Sequence, residues 1–405
     1  MNNIFEHLRK DFPILSQTIN GFSLVPCDNA STTHKPQEVI DAITNFYTTT
    51  NANIYRGVHI FGEQTTALYE EARQIIAQSI GAYPHEIIFT HGTTSGINMI
   101  ASTWAEDFIT QGDEIVITEL EHHANLLPWQ RIAQQKGAGL QFIPITSDGL
   151  LDLSMLDSII THKTKLVSIT HVSNAVGTHV DIATIIKYAH MAGAKVLIDA
   201  AQSVPHQKIN VHALGCDFLV FSGHKIMGPT GIGILYIAES LHNQITPYEL
   251  GGGMVEHVDY TYATYKPIPH KLEAGTPPIA QAIGLGAAFN YINTHINFEL
   301  LAEYESYLCT LLINKLLLFD KITILGTIEE LKQKGHLVSF LVKNYHSHDV
   351  ASFLSSRGIF VRAGHHCAQP FARKLGYDAS VRVSFYFYNT IEDVERIIQA
   401  LEELL

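Results

Sequence analysis

The chain has 405 residues, of which 46% are hydrophobic and 16% charged, a composition typical of a globular protein with about two domains. Its net charge is −13 and its 26 Lys and Arg residues form no run, which argues against a nucleic-acid or anionic-membrane surface. The N-terminus lacks an apolar signal core, no apolar run approaches the ~20 residues of a membrane span, and the four Cys form no CxxC pair. We therefore expect a protein of a reducing compartment, the cytoplasm.

Helical patterns alternate with short apolar runs from about residue 67 onward. Residues 67–81 predict an amphipathic helix ending at Gly81, and residues 86–105 predict a strand, a turn and a helix. Further buried strands are predicted within residues 114–120, 140–145, 165–174, 195–203, 218–225 and 231–238. Apolar runs of this kind between helices are typical of a mostly parallel sheet, so the large domain is predicted to be α/β.

The C-terminal part of the chain has a different pattern. Residues 260–278 predict a loop, and residues 279–318 predict a long helical stretch. A small α+β domain is then predicted from strands within 336–342, 359–364 and 381–389, a helix over 348–357 and a last helix. We expect a large domain over 21–290, a small domain over 291–405, and a segment over 1–20 that packs on the small domain or on a partner.

Polar residues stand where predicted strands end, the edge at which ligands bind in parallel α/β sheets. Asp199 ends one strand, Lys225 follows another, and Thr93 and Thr94 open a helix. Pyridoxal 5′-phosphate (PLP) requires a Lys for a Schiff base, an Asp near its pyridine nitrogen, and donors at a helix N-terminus for its phosphate. His122, after a further strand, could stack on the ring.

Each of these features has a simpler interpretation. A strand-end Lys is usually a solvated surface residue, a strand-end Asp often caps a helix, and the Thr pair could only cap one. The Gly-dense residues 228–233 after Lys225 favour close approach of a ligand or of another chain. The tandem His122 and His123 could be a polar pair or half of a metal site, but no ligand at suitable spacing completes it, and no metal is expected.

A second polar group lies at residues 362–370, in a predicted loop bounded by Gly and Pro. Cys367 stands beside His residues and near Arg362, a setting that favours a nucleophilic thiolate. The alternatives are an inert buried Cys and a Cys-His-His metal site. The other cysteines lie in apolar or helical surroundings and are expected to be inert: Cys27, Cys216 and Cys309.

Arg382 lies on a predicted apolar strand, where an Arg is rarely buried without an anionic partner. A substrate carboxylate held by two hydrogen bonds would satisfy it. A nearby acidic side chain such as Asp378 would satisfy it equally well.

The motifs together resemble those of the group II cysteine desulfurases, the SufS-like and CsdA-like members of the class V aminotransferase-like PLP enzymes. In chain order they are THGTTSGINMIA, ELEHHANLLPWQ, THVSNAVGT, IDAAQS, FSGHKIMGPTGIGILY, EAGTP, RAGHHCAQP and RVSFYFYNT. The resemblance runs from about residue 20 to the C-terminus. It implies PLP-dependent fold type I, with a large seven-stranded-type sheet domain and a smaller C-terminal α+β domain. It also implies conversion of L-cysteine to L-alanine with the sulfur kept as a persulfide, for iron–sulfur cluster assembly or related sulfur trafficking.

The resemblance also implies a role for each matching residue. The catalytic residues would be Lys225 (Schiff base and α-proton transfer), Cys367 (acceptor thiol) and His122 (stacked on the ring). The cofactor-binding residues would be Lys225, Asp199 (pyridine nitrogen), Gln202 (pyridine hydroxyl), His122, Thr93, Thr94, Ser222, His224 and, from the other subunit, Thr276. The substrate-binding residues would be Asn174, Arg382, Arg362 and Arg56.

A homodimer and a SufE-like or SufU-like sulfur acceptor protein are implied as partners. Alternative functions are a selenocysteine lyase, with L-selenocysteine as substrate, or another class V PLP lyase. A sulfur carrier or scaffold protein without catalysis is a further alternative. The last is a metal hydrolase built on the two His pairs His122, His123, His365 and His366.

Overall fold

The computed structural model describes residues 4–405. Three short strands come first: β1 Thr18–Ile19, β2 Phe22–Ser23 and β3 Val25–Pro26. The central sheet is formed by β4 Ile87–Thr90, β5 Glu114–Thr118, β6 Gly139–Ile143, β7 Thr164–Thr170, β8 Lys195–Asp199, β9 Phe218–Ser222 and β10 Gly233–Ile237. Its order is β4-β10-β9-β8-β7-β5-β6, with β10 antiparallel to both neighbours and all other pairs parallel. The predicted seven-stranded, mostly parallel sheet is therefore confirmed.

Both faces of this sheet are buried except along the edge strand β6, which explains the uninterrupted apolar runs of the other strands. Successive side chains of a strand point to opposite faces. In β5, Ile115 and Ile117 pack into one hydrophobic core, whereas Val116 packs into the other. Polar side chains are thereby left for the strand ends, where Asp199 and Lys225 stand.

Helices cover the sheet and continue into the C-terminal part. The first eight are α1 Gln37–Asn45, α2 Ile60–Ser79, α3 Thr93–Ile100, α4 Glu106–Phe108, α5 Leu127–Lys136, α6 Leu156–Ile159, α7 Ile182–Met191 and α8 Val211–Leu214. The others are α9 Ile279–His295, α10 Phe298–Leu316, α11 Ile328–Lys334, α12 Ser347–Ser356, α13 Gln369–Lys374 and α14 Ile391–Leu404. None of the helices within residues 4–405 has both the length and the apolar character needed to cross a membrane.

A second, antiparallel sheet lies in the C-terminal part. The remaining strands are β11 Val255–Val258, β12 Ala263–Tyr265, β13 Ile322–Leu325, β14 Leu337–Val342, β15 Ile359–Phe360, β16 Arg362–Gly364 and β17 Ser380–Ser384. Four of them form the small sheet in the order β13-β14-β17-β16. This sheet and the helices around it agree with the predicted α+β pattern.

Several details of the prediction are wrong. The expected loop over 260–278 contains strand β12, because Ala263, Thr264 and Tyr265 pair with β11 as a hairpin. The expected helix over 279–318 is two helices, because the Asn297 side chain accepts bonds from the backbone of Glu299 and Leu300 and so starts a new helix. Strand β13 was not predicted.

The predicted strand within 359–364 is divided between two sheets. Its first part, β15, pairs with β3 near the N-terminus, and its second part, β16, pairs with β17. This arrangement ties the early chain to the C-terminal part. Phe12 also packs against Phe387 and Tyr388. The proposed domain boundaries stay a prediction, and position 290 lies within α9.

Candidate active site

A cavity of about 310 Å³ opens at the carboxyl ends of the parallel strands. It gathers residues from the central sheet, from the small sheet and from the loop that carries Cys367. The predicted site residues that line it are Thr93, Thr94, His122, Asn174, Asp199, Gln202, Ser222, His224, Lys225, Arg362, Cys367 and Arg382. Residues far apart in the sequence thus meet around one space large enough for a small cofactor and its substrate.

One end of the cavity carries hydroxyl groups and a helix N-terminus. The Ser222 hydroxyl accepts a bond from the backbone N–H of Thr93 at 2.9 Å and lies 2.8 Å from the Thr93 hydroxyl. Gly92 precedes α3 with φ +147°, and an added Cβ there would lie 3.2 Å from the Ser222 hydroxyl. Hydroxyls together with the positive end of α3 are the donors that a phosphate group requires.

Asp199 and Lys225 provide the opposite charges of the cavity. Asp199 is buried, and its Oδ1 accepts a bond from the backbone N–H of Ala201 at 3.0 Å. Burial raises the pKa of this carboxyl, and the charge of Lys225 partly opposes the effect. Burial also lowers the pKa of Lys225 to about 8, so part of the amine is neutral near physiological pH. A neutral amine is the form that reacts with an aldehyde.

His122 is held in one orientation beside these two residues. Its Nδ1 accepts a bond from the backbone N–H of Ala124 at 3.0 Å, which fixes the ring. Burial, together with the neighbouring charges of Lys225 and His123, lowers the pKa of His122 to about 4. The imidazole is therefore neutral at physiological pH, as a group that stacks on an aromatic ring should be.

Glu121, the residue before His122, was not singled out from the sequence. It is buried, and it accepts hydrogen bonds from the Thr118 hydroxyl at 2.6 Å, the Asn125 amide at 2.7 Å and the Thr170 backbone at 2.9 Å. Burial raises its pKa to about 8. Glu121 thus connects β5 and β7 directly behind His122. A charged residue between an apolar strand and a His pair was the only signal of this role in the sequence.

Arg382 is buried and also lines the cavity. Its guanidinium donates to the backbone oxygen of Asn174 at 2.6 Å and to the Ser31 hydroxyl at 3.0 Å. Its acidic neighbour is Asp28, at 3.5 Å, and not Asp378, which was the acidic partner considered from the sequence. Asp28 is shared with the exposed Arg362, whose Nη2 lies 2.7 Å away. Neither Asp28 nor Ser31 was predicted, because both precede the first recognisable motif.

Cys367 is exposed to the cavity, whereas the other cysteines are buried: Cys27, Cys216 and Cys309. Burial raises the pKa of each of these three thiols and so disfavours the reactive thiolate, which agrees with the prediction that they are inert. The Cys367 backbone oxygen accepts a bond from the His123 N–H at 2.8 Å. The neighbouring Asn174 amide donates to the His366 backbone oxygen at 2.7 Å. The Cys367 loop is thereby held against the central sheet.

Two predicted site residues lie elsewhere in the chain. Arg56 and Thr276 line a second cavity of about 180 Å³, together with Asn53, whose amide lies 3.3 Å from the Thr276 hydroxyl. A single chain therefore does not bring Arg56 or Thr276 to Lys225. Their roles in the first cavity stay a prediction that requires a second subunit.

The two His pairs do not form a metal site within the described part of the chain. Across residues 4–405, no three His, Cys, Asp or Glu side chains are grouped as metal ligands. His122 and His123 instead accept bonds from backbone N–H groups of Ala124 and Gln369. His366 bonds to the Ser380 hydroxyl at 2.9 Å. The metal hydrolase alternative has no structural support.

Comparison with known proteins agrees with this geometry. The Aminotransferase class-V family model matches residues 25–397. A probable cysteine desulfurase of Streptomyces coelicolor is 44% identical over 98% of this chain and 96% of the relative. A probable cysteine desulfurase of Halalkalibacterium halodurans is 44% identical over 98% of this chain and 97% of the relative. The chain belongs to the class V aminotransferase family.

Solved structures give the same result. The apo cysteine desulfurase of Thermococcus onnurineus NA1 superposes with a TM-score of 0.94 and is 40% identical, over 100% of this chain and 98% of that one. The cysteine desulfurase CsdA of Escherichia coli gives a TM-score of 0.91 at 35% identity, over 100% of this chain and 99% of that one. The predicted fold class and family are confirmed.

The cofactor of this family is PLP, and the residues of the first cavity fit it. The cavity contains a buried amine, a buried carboxylate, a fixed neutral imidazole and a hydroxyl-lined helix N-terminus. These are the groups that an aldehyde, a pyridine nitrogen, an aromatic ring face and a phosphate need. Arg382 Nε is buried without a hydrogen-bond partner, which leaves a donor for a further anion.

Proposed function

We propose that the protein is a PLP-dependent cysteine desulfurase that converts L-cysteine to L-alanine and keeps the sulfur as a persulfide on Cys367. The observation that carries this proposal is that Lys225, Cys367 and Arg382 line one cavity although they lie in three separate parts of the chain. A base, a sulfur acceptor and a carboxylate-binding group are thus close to one another. A sulfur carrier without catalysis would not need the buried Asp199 and Lys225.

Several residues would hold the cofactor. Lys225 would bond its aldehyde, Asp199 would pair with its ring nitrogen, and His122 would cover its ring. Its phosphate would be bound by hydroxyl and backbone donors of Thr93, Thr94, Ser222 and His224, and Gln202, which also lines the cavity, would bond its ring hydroxyl. When bound, PLP withdraws electrons from the carbon atoms of an attached amino acid, which makes proton loss and carbon–sulfur cleavage possible.

Substrate binding is assigned to Arg382 and Asn174. The unpartnered Arg382 Nε would donate to the L-cysteine carboxylate, and the buried charge of the guanidinium would thereby be neutralised. Asn174 donates to the Cys367 loop and also faces the cavity, so it connects substrate and acceptor. Arg362 stands at the rim, where it pairs with Asp28.

Lys225 would then move the α-proton of the substrate, since its lowered pKa leaves a neutral amine available as a base. Cys367 would attack the substrate sulfur as a thiolate. A sulfur–sulfur bond forms, the carbon–sulfur bond breaks, and its electron pair stays on carbon, which takes up a proton to become the methyl group of alanine. A thiol reductant would later release the outer sulfur as sulfide.

A homodimer would complete the site. Arg56 and Thr276 share the second cavity with Asn53, away from Lys225 of their own chain. A second copy would bring them to the first cavity of its neighbour, where Thr276 would add a hydroxyl for the phosphate. The persulfide would pass to a small SufE-like or SufU-like acceptor protein, because Cys367 is exposed and therefore accessible. L-Selenocysteine, which has the same backbone groups, would be accepted by the same contacts.

The test is alanine and sulfide release from L-cysteine with a thiol reductant present. Wild type should form both products, and Lys225→Ala and Cys367→Ala should lose nearly all turnover. Cys367→Ala should keep the visible absorption of bound PLP, whereas Lys225→Ala should lose the band of the Lys-bound form. Cys216→Ala is the matched control and should retain activity. Wild type that binds PLP but forms no alanine from L-cysteine, even with an acceptor protein, would contradict the proposed substrate.

A further inference from the structure

His123 contacts the Cys367 loop at two points. Its backbone N–H donates to the Cys367 carbonyl at 2.8 Å, and its ring Nε2 accepts from the Gln369 backbone N–H at 3.1 Å. The two contacts lie on either side of Ala368. His123 itself belongs to the short 3-10 helix after β5, which also contains His122 as its cap. One residue of the central sheet region thus holds both the thiol-bearing residue and the start of α13.

The loop needs such support because its backbone conformation is unfavourable. His366 and Cys367 have φ angles of +53° and +56°, in the left-handed region that non-glycine residues rarely adopt. Two consecutive residues of this kind persist only when surrounding contacts hold them. Asn174 and Ser380 bond His366 on one side, and His123 bonds Cys367 and Gln369 on the other.

We propose that His123 is a positioning residue that, in its neutral form, holds Cys367 at the cavity by accepting the Gln369 N–H. The proposal rests on the proposed desulfurase function for its effect on turnover, but its effect on loop order is independent of that function. The substrate and cofactor contacts belong to other residues, so His123 acts through the loop only.

The charge of His123 decides whether this contact can form. A neutral ring with its proton on Nδ1 presents the Nε2 lone pair to Gln369, whereas a protonated ring presents an N–H to another N–H. The titratable groups that face the ring are His122, with ring centroids 6.2 Å apart, and His365, 5.9 Å apart; Arg131 lines the same depression. None of these three neighbours carries a negative charge, so none of them stabilises the protonated form of His123.

Burial and the nearby His365 lower the pKa of His123 below its ordinary value. The acceptor form is therefore dominant at neutral pH. As the pH falls through this lowered pKa, the contact to Gln369 is lost and the loop should loosen. For this reason we expect kcat for alanine formation to fall at acidic pH, with the KM for L-cysteine little changed.

Two substitutions separate the acceptor from its titration. His123→Gln keeps a neutral acceptor oxygen that does not titrate, and His123→Leu removes the acceptor. His162→Gln, at an exposed position, is the matched control. The first measurement is amide hydrogen exchange of residues 365–369 in the holoenzyme, which reports loop order without any turnover. The second is the pH profile of kcat for alanine formation.

We expect His123→Leu to exchange in this peptide at least about tenfold faster than wild type and to lose about tenfold in kcat. His123→Gln should match wild type at neutral pH, and its kcat should fall less steeply than that of wild type at acidic pH, while the fall caused by protonation of Lys225 remains in both. The proposal would be overturned if residues 365–369 of His123→Leu exchanged at the wild-type rate. It would also be overturned if kcat of His123→Gln fell at acidic pH as steeply as that of wild type. If His123→Leu fails to fold, the His123→Gln profile still decides. If wild type forms no alanine, the desulfurase function fails, while hydrogen exchange still tests the loop.

Discussion

Arg382 and Asp28 form an incomplete pair. Nη2 of Arg382 lies 3.5 Å from Oδ1 of Asp28, whereas Nε is buried and has no hydrogen-bond partner. Asp28 is much closer to Arg362, at 2.7 Å. The guanidinium of Arg382 is thus oriented by protein groups on one edge and left with donor capacity on the other. A substrate carboxylate would satisfy it.

Replacing Arg382 should therefore weaken substrate binding more than cofactor binding. Arg382→Lys keeps the charge but loses the planar fork, so we expect the KM for L-cysteine to rise about 10- to 100-fold, as for one or two lost charge-assisted hydrogen bonds. Steady-state kinetics of alanine formation measure it. Arg362→Lys is the matched control, with a smaller effect because that side chain is exposed. Equal KM values for Arg382→Lys and wild type would contradict the carboxylate role.

Gly233 should be needed for the stability of the backbone next to Gly92, at the proposed phosphate-binding residues. A Cβ at Gly233 would lie 2.5 Å from Cα of Gly92 and 2.6 Å from the backbone oxygen of Phe221. Because backbone cannot move aside easily, Gly233→Ala should lower the free energy of unfolding by about 1–3 kcal/mol and weaken PLP binding.

Denaturant unfolding of the holoprotein measures the change. Gly139→Ala is the control, since its new methyl group would approach no atom closer than 3.4 Å. A Gly233→Ala protein as stable as the Gly139→Ala protein would show that the close approach of Gly233 to the backbone of Gly92 and Phe221 is not required.

Glu121 should make stability depend on pH. Its pKa is about 8 in the folded protein because of burial, and about 4.3 in an unfolded chain. Between these values the folded state binds a proton that the unfolded state has released, so wild-type stability falls as the pH rises through this window. Glu121→Gln cannot titrate.

The free energy of unfolding of Glu121→Gln should therefore rise relative to wild type between about pH 4.3 and pH 8, by up to about 1.4 kcal/mol per pH unit. Unfolding in denaturant at several pH values measures the difference, in which the other titrating groups cancel. A difference that is constant across this window would mean that Glu121 is ionised in the folded protein.

Mixed dimers should test the contribution of Thr276 across subunits. Thr276→Ala should lower PLP affinity, and Lys225→Ala should lose the Lys-bound PLP band. A dimer with one chain of each kind would have one site with both defects and one intact site. Co-expressed and differently tagged chains should thus regain about half of the wild-type absorption at limiting PLP. Recovery no greater than that of Thr276→Ala alone would place Thr276 with its own chain.

The sequence predicted the central sheet well because its strands, apart from the edge strand β6, are buried on both faces. Continuous apolar runs such as those around Ile117 and Ile198 are specific to this arrangement. The C-terminal part was less predictable. Residues 359–364 were predicted as one strand but are divided between two sheets. The division depends on which distant strands they pair with, and the local sequence does not show this. The break at Asn297 was not predicted, because apolar residues stand on both sides of it and continue the helical pattern.

The candidate site was predictable where its residues stand in motifs at strand ends, as Asp199 and Lys225 do. Asp28 and Ser31 could not be found, because their function depends on contact with Arg382, more than 350 residues further along the chain. His123 was noticed only as half of a His pair. Its role depends on the backbone of Gln369, and no side-chain pattern reveals a backbone donor.

The most direct test of persulfide formation on Cys367 is to identify the residue that carries the sulfur. Holoenzyme is mixed with L-cysteine without reductant, trapped with an alkylating agent, digested and analysed by mass spectrometry. We expect one additional sulfur atom on the peptide containing Cys367, matched by alanine released, and none on the peptides of Cys27, Cys216 or Cys309. Alanine released while Cys367 stays unmodified, or a persulfide on one of the buried cysteines, would contradict it.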